Sequence, residues 1–136
     1  MLLIAVASSL VSMALRDPAA AQLDQEASRL AALLESARAQ ARASGLLVRW
    51  EPRPAEVDGG ASGFRFTGLP ASQNMPNQWL GSGVSADVIG ARSVVLGPEP
   101  IIGPQRIQLR LDSQRLTLVT DGLGPFVVAE SSGANP

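Results

Sequence analysis

The side chains that most often carry catalysis are missing from this chain. Its 136 residues include no His and no Cys. That removes the general base that titrates near neutrality, the thiol nucleophile and the ligands that zinc, copper and iron prefer. What remains is twelve Asp and Glu against eleven Lys and Arg, all of the latter Arg, for a formal charge of -1. Ser8, Ser9 and Ser12 lie in an apolar run with no base beside them, where serine bonds back to helix carbonyls. The composition predicts a protein that is not an enzyme and holds neither metal nor cofactor. Without a net basic field, non-specific nucleic-acid binding is not expected.

Three groups have types and spacing that could meet a partner. Arg106, Arg110 and Arg115 fall on what reads as one hairpin, where they could form a small anion or DNA site. No aromatic residue interleaves with them and Asp112 sits between, which favours a solvated strand face. Trp79, flanked by Gly81 and Gly83, suits either an exposed partner anchor or a loop residue folded onto the core. Asp121-Gly122 reads as a turn, since no second acidic or Asn residue stands at calcium-loop spacing.

The elements that must position these groups divide at residue 45. Residues 1–44 contain no Gly, one Pro and many Ala, whereas every Gly and nine of the ten Pro follow. The pattern predicts a helical arm and then a turn-rich β region. Residues 1–16 open with MLLIAVASSLVSMAL, uncharged until Arg16, which reads as an apolar membrane or assembly helix carried by Leu2, Leu3, Ile4, Val6, Leu10, Val11 and Leu15. A rival reading is a signal peptide cut after Ala19-Ala20-Ala21, which would leave a soluble β domain starting at Gln22.

Residues 17–45 continue the helix, with Asp17-Pro18 as cap and first turn and Gly45 as its end. Leu23, Ala27, Leu30, Leu34, Ala37 and Ala41 recur at spacings of four and three and form the face that packs on the sheet. Gln25, Arg29, Glu35, Arg38 and Arg42 are expected off that stripe, facing water or neighbours.

Residues 46–130 read as an antiparallel β domain. Alternation predicts a strand from Leu46 that stops at Pro52 and Pro54, a short strand around Phe64–Phe66 and one strand around Ala91–Leu96. Residues 71–83 are expected to be a mobile surface loop. Ile107, Leu109 and Leu111 turn at Asp112-Ser113 into Leu116 and Leu118, a hairpin with one inward row. A last strand is expected at Phe126–Val128, and 131–136 as a disordered tail.

In this order the segments resemble the H-type minor pseudopilins of the type II secretion system (general secretion pathway protein H), within the type IV pilin-like group. The resemblance is carried by the apolar run before Arg16-Asp17-Pro18, EASRLAALLESARAQARASG, GFRF at 63–66, LGPEPIIGPQRIQLRL at 96–111 and RLTLVTDGLGPF at 115–126. It implies an α+β, pilin-like fold in which a long N-terminal helix packs on antiparallel sheet. It also implies a single-pass inner-membrane subunit with its β domain in the periplasm. The precursor would be processed and methylated by a prepilin peptidase, then join other major and minor pseudopilins near the tip of a short pseudopilus. The family's apolar helix is longer, so the resemblance places Met1 inside it, and neither the processing site nor the assembly glutamate is carried onto a residue. Two other functions fit the residues: a DNA-binding or adhesive minor pilin, and the secreted periplasmic domain beginning at Gln22.

Overall fold

The computed structural model describes residues 17–55, 60–70 and 72–129. The expected apolar helix of residues 1–16 and the tail 131–136 lie outside them.

Helix α1 (Pro18–Ser44) starts as its sequence dictates. Pro18 occupies the first turn, where its missing N–H costs nothing, and the Asp17 carboxylate accepts from the Ala19 N–H at 2.9 Å. It ends at Gly45, whose φ of 69° lets its N–H close on the Ala41 carbonyl. All six stripe residues, Leu23, Ala27, Leu30, Leu34, Ala37 and Ala41, are buried.

Seven strands follow: β1 (Val48–Arg53), β2 (Gly63–Thr67), β3 (Ser85–Val88), β4 (Val94–Gly97), β5 (Gln105–Leu111), β6 (Gln114–Thr120) and β7 (Val127–Val128). They form two antiparallel sheets, a three-stranded one in the order β2-β1-β4 and a four-stranded one in the order β3-β5-β6-β7. One helix on antiparallel sheet makes the described fold α+β. The β5–β6 hairpin has the expected turn and inward row, with Ile107 opposite Leu118 and Leu109 opposite Leu116.

Two strand expectations are corrected. The segment 84–96 holds two strands, and they belong to different sheets. β1 runs through Pro52 to Arg53; β4 pairs only with Val48, Arg49 and Trp50, so at Pro52 the strand has a partner on one side alone and needs no second donor.

The core is one cluster shared by both sheets and the helix. Trp50, Phe64, Val94 and Leu96 come from the first sheet, Ile107, Leu109 and Leu118 from the second. The sheets are also stitched together by Gln105. Its main chain belongs to β5, while its side-chain amide accepts from the Val95 N–H at 2.8 Å and donates to the Val95 carbonyl at 2.9 Å, as a neighbouring strand would. On the outer face of the second sheet, the register and the Ile89 N–H bond to the Arg106 carbonyl set Ile89, Arg106, Val119 and Val127 in one row across four strands.

The helix–sheet distance is set by small residues. A methyl group on Gly97 would lie 2.8 Å from the Ala41 side chain. Ala41→Leu should therefore destabilise the fold by about 1–3 kcal/mol through overpacking, while Ala39→Leu on the exposed face should stay within about 0.5 kcal/mol of the parent, as read by denaturant unfolding.

Candidate functional site

The chain has no His or Cys, and among the described residues no group of three or more Asp and Glu side chains could hold a metal ion. Two buried charges on α1 organise the loops that the sheets leave free.

Glu26 is fully buried. Its carboxylate accepts from the N–H of Leu80 at 3.0 Å and of Gly81 at 2.8 Å, and from the Gln22 side-chain amide at 3.2 Å. Arg29, one turn on, donates to the Gln78 carbonyl at 2.9 Å with its guanidinium 6.0 Å from the Phe64 ring centre. The Phe64 N–H donates to the Asn77 carbonyl at 3.0 Å. Residues 77, 78, 80 and 81 are thus each pinned through a main-chain group. The expected mobile loop is a fixed strap, because its amide groups find partners on the helix and on β2.

Trp79 rides on that strap and is 8% exposed, its ring 4.8 Å from Phe64 and close to edge-on. It is a core residue, and the reading of Trp79 as an exposed partner contact is corrected accordingly.

Arg38 is the second anchor. Its guanidinium is 2% exposed and donates from Nη1 to the Gly124 carbonyl at 2.7 Å, and from Nη2 to the carbonyls of Pro100 at 2.9 Å, Gly122 at 2.9 Å and Leu123 at 3.2 Å. The loops 98–104 and 121–125 are held to the helix and to each other by this fan. They meet so closely that a methyl on Gly122, at φ 96°, would fall 2.5 Å from the Gly103 backbone. Asp121 shapes the second loop from outside, accepting from the N–H of Leu123 at 2.9 Å and Gly124 at 3.0 Å. The Gly124 and then the Leu123 N–H hold its carboxyl below the ordinary aspartate range.

Arg38 was expected off the packed stripe, and that expectation is overturned. Its position carried a signal: Arg38 stands four residues from Leu34 and three from Ala41, as Glu26 stands three from Leu23 and four from Leu30. A charge at stripe spacing marks a buried anchor when loop backbone groups are there to solvate it.

Arg106, Arg110 and Arg115 do share the outer face of the hairpin, and Arg110 and Arg115 are directly opposed. Arg110 is already paired with Asp87 on β3 at 2.6 Å, which halves the local charge of that pair of arginines. All three are exposed, as a solvated strand face requires.

The chain matches no protein-family model, no curated protein and no solved structure in the comparisons made.

Arg38→Met should cost about 2–4 kcal/mol, because the carbonyls of Pro100 and Leu123 lose their donor while those of Gly122 and Gly124 keep only the Ile102 N–H and the Thr120 hydroxyl, and Arg38→Lys should recover only part of it, since an ammonium cannot span the fan. Unfolding of the two variants against the parent checks this. For Asp121 the folded carboxyl titrates below its unfolded value, so its stabilising effect is complete at neutral pH and is lost as pH falls past the ordinary aspartate range. The melting temperature of Asp121→Ala should lie below the parent's at pH 7, and the gap should narrow as pH falls below the ordinary aspartate range.

Proposed function

We propose that this chain is a structural minor pseudopilin of the type II secretion system, with a pilin-like fold, seated at or near the tip of the pseudopilus and supporting export of folded proteins. The observation that carries the reading is the way the fold begins. Asp17 follows the apolar run 1–15 and Arg16 directly, caps α1 with one carboxylate oxygen and with the other accepts from the Gln114 side chain at 2.8 Å. The chain therefore passes from apolar sequence into a helix that is fastened to the β domain from its first residue. A subunit held in an assembly through its N-terminal segment would gain from a helix fastened to its β domain at the very first turn.

Further support comes from the length of α1, 27 residues or about 40 Å, and from its docking on antiparallel sheet through a stripe of Leu and Ala interrupted only by the buried Glu26 and Arg38. Among the described residues no helix is long and apolar enough to cross a membrane, so a membrane anchor would rest on residues 1–16. In this reading the partners are other major and minor pseudopilins, the inner membrane before assembly, and a prepilin peptidase acting on the precursor. No catalytic role, cofactor or nucleic acid enters it. The signal-peptide alternative fits less well, since cleavage after Ala21 would remove both the Asp17 cap and its bond to Gln114.

The mass of the N-terminal peptide, taken from the protein in its own host, tests the proposal. A methylated terminus recovered from inner membranes is expected. A soluble protein beginning at Gln22 would overturn it.

A further inference from the structure

We draw no further inference here: the strongest candidate, the exposed Ile101 and Leu123 side chains on the two loops gathered by Arg38, is an apolar surface patch, and nothing in the structure shows what covers it.

Discussion

A guanidinium with no carboxylate bonded to it ties two loops of the β domain to the helix. Burying Arg38 in an apolar environment would be prohibitive without polar partners, and four main-chain carbonyls from two loops accept from its two terminal nitrogens, while Nε is left without one. Those carbonyls belong to segments rich in Gly and Pro that have no ladder to join. The side chain therefore solves two problems together: the loops gain donors, and the charge gains a shell of dipoles. Glu26 performs the inverse task about 18 Å earlier on the same helix, offering acceptors to backbone N–H groups. Between the two, Leu and Ala supply contact area, and the charges supply position.

This division explains what could be read from the residues alone. The α1 stripe, its Asp17-Pro18 start, its Gly45 end and the hairpin register were legible because each depends on local spacing and backbone preference. The separation of 84–96 into strands of two sheets was not, because nothing within thirteen residues states which neighbour each half will find. The strap 77–81 was misjudged for the same reason. Its polar, Gly-bearing composition is that of a free loop, and partners distant in sequence, the Glu26 carboxylate, the Arg29 guanidinium and the Phe64 N–H, convert it into fixed structure.

Arg38 and Trp79 show a second limit. An arginine is read from sequence by its usual exposure and Trp79 could be read either as an anchor or as core, since burial is decided by what the surroundings can offer them. For Trp79 that is the face of Phe64, and for Arg38 a ring of carbonyls. The spacing of Glu26 and Arg38 within the apolar stripe was the available clue. Their charge argued against it, and the spacing was the better guide.

Gln105 gives the domain a property that neither sheet has alone. Its main chain is a rung of one sheet and its amide a rung of the other, so the two ladders share a residue and cannot slip independently. A shift of β5 by one position would turn that amide away from Val95 and would expose Ile107 and Leu109 at the same stroke. Opening of either sheet is thereby coupled to opening of the other. The slowest-exchanging amides of β1 and β5 should then share a single protection free energy, the signature of one cooperative unit built from two sheets.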